Sequence, residues 1–143
     1  MADFSLAGLL RLRRRQEDQA AGALLRARSR ASELAAQRTG VREAMLGQDE
    51  EVGSIEALHA IAAARASTSS MLADLRTLQV DQDAEVERAR AAHEKARAAR
   101  KAIEKLETRH ATAEAAAELR AEQAVLDDLA GRTAGARIGE AER

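Results

Sequence analysis

Residues 67–106 read STSSMLADLRTLQVDQDAEVERARAAHEKARAARKAIEKL, and residues 107–130 continue as ETRHATAEAAAELRAEQAVLDDLA. Neither proline nor glycine interrupts this stretch. Met71, Leu72, Leu75, Val86, Ala89, His93, Ala96, Ile103, Leu106, Ala113 and Ala117 fall at helical spacing and form one stripe. Sixty residues of helix rise about 90 Å, far beyond the span of a compact domain of this size. A helix that long is a rod, and it needs a partner along its seam.

Composition points the same way. The chain has 143 residues, so one structural unit is expected. Phe4 is the only aromatic, proline and cysteine are absent, and 33% of residues are charged. A globular core draws on aromatic and branched side chains, and this chain has too few. An excess of Ala, Glu, Arg and Leu belongs to long helices and coiled coils. A globular enzyme is not expected on that ground.

Net charge is −1, which gives no overall bias towards nucleic acid. The charge is nevertheless unevenly spread. Residues 11–30 hold seven arginines against Glu17 and Asp18, a net of +5; residues 111–130 hold five acids against Arg120, a net of −4. Opposite blocks near the two ends suggest that the ends meet. The absence of cysteine fits a reducing compartment. The opening residues lack the pattern of a signal peptide, and no run reaches membrane-span length. A soluble cytoplasmic protein is the expectation.

Taken in order, helix A is expected over about 4–46. Its heptad seam is Leu6, Leu10, Arg13, Glu17, Ala20, Leu24, Ala27, Ala31, Leu34, Arg38, Val41 and Met45. Gly8, Gly22 and Gly40 each cost about 1 kcal/mol relative to alanine, and the pattern outlasts them. Residues 47–54 break the pattern, with two glycines around an acidic run and Ser54 as a cap. A short helix over 55–65 and a second break at Ser67-Thr-Ser-Ser70 would make 47–66 a tip, with helix B over about 67–131. The alternative is that helix B begins at Ser54. Gly131, Gly135 and Gly139 predict a frayed tail over 132–143.

An antiparallel hairpin sets facing residues at a constant sum of numbers. A sum near 120 pairs Met45 with Leu75, Leu34 with Val86, Ala31 with Ala89 and Leu10 with His110, and sets Arg13 beside Glu107. A turn confined to 47–54 implies a sum near 101 and buries less apolar surface. The reading is therefore an all-α fold: a long antiparallel two-helix coiled-coil hairpin, a single unit over 1–143. It has a short helical tip, and a C-terminal helix that overhangs by some 15 residues.

Few residues could carry chemistry. His59, His93 and His110 are too far apart for a ligand pair, and two of them fall on or near the seam as packing residues. There is no phosphate loop and no nucleophile–histidine–acid arrangement, so no catalytic, cofactor or metal site is expected. Arg11-Leu-Arg-Arg-Arg15 can be read as a solvated face, as a dock for an acidic protein, or, with Phe4, Leu6, Leu9, Leu10 and Leu12, as an amphipathic membrane contact. Nucleic acid fits poorly without stacking aromatics. Glu114, Glu118 and Glu122 stand four apart as an acidic stripe on the overhang, either solvated or part of a protein-binding surface.

The two ends resemble a known family. Phe4-x-Leu6-x-x-Leu9-Leu10-x-Leu12-Arg13 with Glu17 and Ala20 is similar to the start of the flagellar export protein FliJ. Lys105-Leu106-Glu107-x-Arg109, Glu118, Arg120 and Glu122-Gln123-x-x-Leu126-Asp127-Asp128-x-Ala130 resemble that family's C-terminal signature. Injectisome stalk proteins of type III secretion share the architecture. The resemblance implies a shaft like that of rotary ATPases. Its paired termini would enter a hexameric export ATPase, promote its assembly and activity, and couple it to the membrane export gate. Export chaperones are further implied partners, and the place implied is the inner face of the cell membrane at the flagellar base. By position, the ATPase-facing residues would be Leu9, Arg13, Arg14, Glu17, Arg109, Arg120, Glu122, Gln123 and Asp127. The gate-facing residues would be Gln37, Val41, Met45, Met71, Leu75, Leu78 and Gln82. Competing readings are a peripheral membrane protein anchored by residues 4–15 and a generic coiled-coil tether. A self-contained hairpin would be monomeric at about micromolar concentration.

Overall fold

The computed structural model describes residues 6–47 and 53–141, with side chains up to residue 132. Two helices make up almost all of it: α1, Leu6–Leu46, and α2, Ile55–Ala141. No strand occurs among the described residues. The expected helical role of Phe4 and the acidic run over 48–52 lie outside them.

Ser54 starts α2. Its Oγ accepts the Ala57 N–H at 3.1 Å, and its carbonyl accepts the Leu58 N–H at 3.1 Å. These bonds satisfy donors that a helix start otherwise leaves open. Glu56 lies in the first turn, where its charge suits the helix dipole. From there α2 continues without a break through 67–70, so the expected short tip helix and second break do not form. Thr68 shows why: its Oγ1 donates back to the Ala64 carbonyl at 2.9 Å. Thr77, Thr108 and Thr112 do the same four residues back along α2. A hydroxyl used in this way lies along the helix instead of capping a new one.

The far end also differs from expectation. α2 runs to Ala141, through the glycines that predicted a frayed tail. Each glycine costs about 1 kcal/mol, a deficit that flanking Ala, Arg and Glu can carry where no proline stops the helix. An 87-residue helix beside a 41-residue one cannot be paired throughout. The contacts accordingly fall into two units, residues 12–99 and residues 1–11 with 100–143.

In the first unit α1 and α2 pack as an antiparallel pair. The less exposed positions of α1 are Arg13, Glu17, Ala20, Leu24, Ala27, Ala31, Leu34, Arg38, Val41 and Met45, which is the expected seam. On α2 they include Leu72, Leu75, Gln79, Gln82, Val86, Ala89, His93 and Ala96, again in steps of three and four. Leu24 and Ala27 are buried. In the second unit Leu10 is buried, and Arg100, Ile103, Glu104 and Glu107 are half-buried.

The register departs from the expected sum of 120. Gln82 Nε2 donates to the Ala27 carbonyl at 3.0 Å, a pair whose numbers add to 109. Read along both helices, this sets Leu34 level with Leu75, Leu24 with Val86, and Arg13 with Ala96 instead of Glu107. At this register Leu46, the last residue of α1, lies level with Ala63, so the first turns of α2 from Ile55 run on beyond the end of α1. The packing favours this register: small Ala27 and Ala31 lie opposite the long Gln82 and Gln79, so large faces small across the seam. Alanine against alanine, as the sum of 120 requires, would bury less.

Candidate docking surfaces

The ATPase-facing set divides between the two units. In the second, Leu9 is half-buried, while Arg109, Arg120, Glu122, Gln123 and Asp127 are exposed. From Thr108 to Arg132 only Ala116 is less than exposed, so the overhang is longer than the 15 residues expected. Arg120 folds back on its own helix, its Nε donating to the Ala116 carbonyl at 3.0 Å. A shallow groove is lined by Ala121, Glu122, Val125 and Leu126. Another is lined by Leu119, Arg120, Gln123, Ala124 and Asp127. Arg120, Glu122, Gln123 and Asp127 thus line these grooves together with apolar residues that were not singled out as binding residues, while Arg109 lines neither.

Those apolar residues are Leu119, Val125, Leu126 and Leu129, between 54% and 66% exposed. A helix that leaves four branched side chains in water within eleven residues carries an apolar patch of the kind that marks a contact surface. The missed signal is one of phase: large apolar residues continue past Glu107, but not at the seam positions.

In the first unit, Arg14 is exposed while Arg13 and Glu17 are half-buried. Arg13 Nη1 donates to Gln16 Oε1 at 3.0 Å, and its Nε is buried without a hydrogen-bond partner. Arg13 is therefore partly a seam residue, and Arg14 is the more accessible of the two cations. The gate-facing set divides similarly. Gln37, Met71 and Leu78 are exposed, whereas Val41, Met45, Leu75 and Gln82 occupy the seam. Gln82 already spends a donor on Ala27. Around the turn, Leu46 and Ile55 are each 73% exposed, and Leu58 is also exposed. Periodicity marked Ile55 and Leu58 as part of a short helix over 55–65, but not as a surface left open beside Leu46.

Several charged side chains pair along their own helix. Arg88 meets Glu85 at 2.6 Å and Arg90 meets Glu94 at 3.3 Å. Arg100 meets Glu104 at 2.6 Å, and His110 Nδ1 lies 3.4 Å from Glu114. Exposed pairs at this spacing contribute about 0.3–0.5 kcal/mol each. Among the described residues no three His, Cys, Asp or Glu side chains gather as metal ligands. No helix there is long and apolar enough to cross a membrane.

No curated protein matches the chain closely enough to report as a relative, and no solved structure does so either. The family description "Flagellar FliJ protein" matches residues 1–138, nearly the whole chain. With its two packed helices and its exposed C-terminal helix, the chain belongs to the flagellar FliJ family, components of the flagellar protein export apparatus.

Proposed function

We propose that the chain is a non-enzymatic stalk and general chaperone of flagellar type III export. It inserts its termini into a hexameric export ATPase, promotes assembly of the hexamer and couples it to the membrane export gate. Export chaperones would be further partners, and the site of action would be the cytoplasmic face of the cell membrane at the flagellar base. The supporting observation is the exposed helix after Glu107, which carries Arg109, Arg120, Glu122, Gln123 and Asp127 in a unit that also includes the start of α1. A slender helical element with mixed charge and few bulky side chains suits a narrow pore. Electrostatic complementarity there would steer encounter and weaken as salt rises. At the other surface, Gln37, Met71 and Leu78 are the residues best placed to touch the gate.

The test is a pull-down of the hexameric export ATPase with the full chain, read together with ATP hydrolysis. Wild type should bind and stimulate. The double variant Arg13→Glu, Arg14→Glu should lose most binding while keeping its helix content. Equal binding by the variant, or none by wild type, would contradict the reading.

A further inference from the structure

The large apolar side chains of the overhang do not continue the seam. Arg100, Ile103 and Glu107 are half-buried at steps of three and four. Carried onward, that phase falls on His110, Glu114, Ala117, Ala121, Ala124 and Asp128, none of them large and apolar. Leu119, Leu126 and Leu129 instead form a separate heptad stripe with Glu122, flanked by Val125. That stripe was not built for the helix the seam serves.

We infer that this stripe is a self-association surface, which pairs antiparallel with the same stripe of a second copy of the chain. The pattern is self-complementary. With facing numbers adding to 248, Leu119 meets Leu129 of the second copy and Glu122 meets Leu126. On the flank that precedes Leu119 and Leu126, where facing numbers add to 250, Glu118 meets Arg132 and Val125 meets its own counterpart beside the two-fold axis. A symmetric contact makes each pairing between different residues twice. Parallel pairing would stack Glu122 on Glu122, a like-charge layer that opposes association. Arg132 now pairs with Asp128 at 3.1 Å, both well exposed, and so weak a pair is easily exchanged.

The contact spans only about four turns, below the size of a stable interface, so association is weak: monomer near 1 µM and dimer towards about 1 mM. Pairing covers Glu122 and Gln123. Resting on the proposed ATPase contact, it follows that self-association and ATPase docking exclude each other, and that the free chain can be held in reserve.

The chain has no cysteine, so single cysteines report geometry cleanly. Under oxidation at about 100 µM, Val125→Cys should yield several-fold more disulfide-linked dimer than Leu119→Cys or the distant Ser70→Cys. Adding Glu118→Arg to Val125→Cys should cut dimer yield about tenfold, and further adding Arg132→Glu should restore it. Circular dichroism checks that each variant keeps its helix. Equal cross-linking at Ser70 and Val125, stronger cross-linking at Leu119, or failure of the charge swap to restore dimer would overturn the surface. In a pull-down, the oxidised Val125→Cys dimer should fail to bind the ATPase while its reduced form binds. A dimer that still binds would overturn the exclusion. If neither form binds, the ATPase reading falls and the self-association result stands by itself.

Discussion

Gln82 shows how one side chain can set a register. Its amide spans the seam to the Ala27 carbonyl, over an alanine only 4% exposed. Replacing Gln82 with alanine removes that bond and opens space above Ala27. The loss should be about 1 kcal/mol from the hydrogen bond alone, read as a lower urea midpoint. Conversely, Gln79 Oε1 is buried without a partner, while its Nε2 donates to Asp83 at 2.8 Å. An unsatisfied buried acceptor is a cost that a leucine would not carry. Ser54 acts through backbone donors: Ser54→Ala should cost about 1 kcal/mol and reduce helicity at the start of α2. The serine's capping role was legible in the sequence, because a hydroxyl before an apolar-periodic run has a defined use. The role of Gln82 was not. A glutamine at a seam position reads as an interruption until the small residue opposite it is known.

For the helices themselves, sequence periodicity served some features well and others badly. The seam of α1 was legible position by position, since its three–four alternation survives three glycines and three charged residues, Arg13, Glu17 and Arg38. The boundaries of α2 were not. Ser67-Thr-Ser-Ser70 looks like punctuation, yet Thr68 bonds back to Ala64 and the helix continues. Side chains with two hydrogen-bonding outlets cannot be assigned to cap or interior by type alone. The difference is testable: Ser69→Pro inside a continuous helix should cost about 3 kcal/mol and visible ellipticity. In a turn the same change would be nearly neutral. Choosing the register by counting apolar pairs also failed, because the count rewarded leucine on valine and ignored large-against-small fit. Of the overhang, the charges were legible and the Leu119–Leu129 stripe was not, because it leaves the phase of the seam.

The family match places the chain in the flagellar export apparatus, and the proposed docking onto its ATPase has a consequence for stability. Only three of the described residues are buried apolar ones, Leu10, Leu24 and Ala27, so the chain alone gains little from core burial. A partner that binds the folded form should then stabilise it by mass action. Saturating ATPase should raise the melting midpoint of the chain, and raising salt should reduce the gain; an unchanged midpoint would contradict docking. The family read from the chain's ends is the family found, while the contacts of single residues still rest on position and exposure. All of this depends on α1 and α2 pairing within one molecule at the register marked by Gln82 and Ala27. Paired cysteines measure that directly in a chain that has none. Leu34→Cys with Leu75→Cys should close an intramolecular disulfide at every protein concentration, and Leu34→Cys with Val86→Cys should not. Efficient closure of the second pair instead, or linkage that forms only between molecules, would contradict the account.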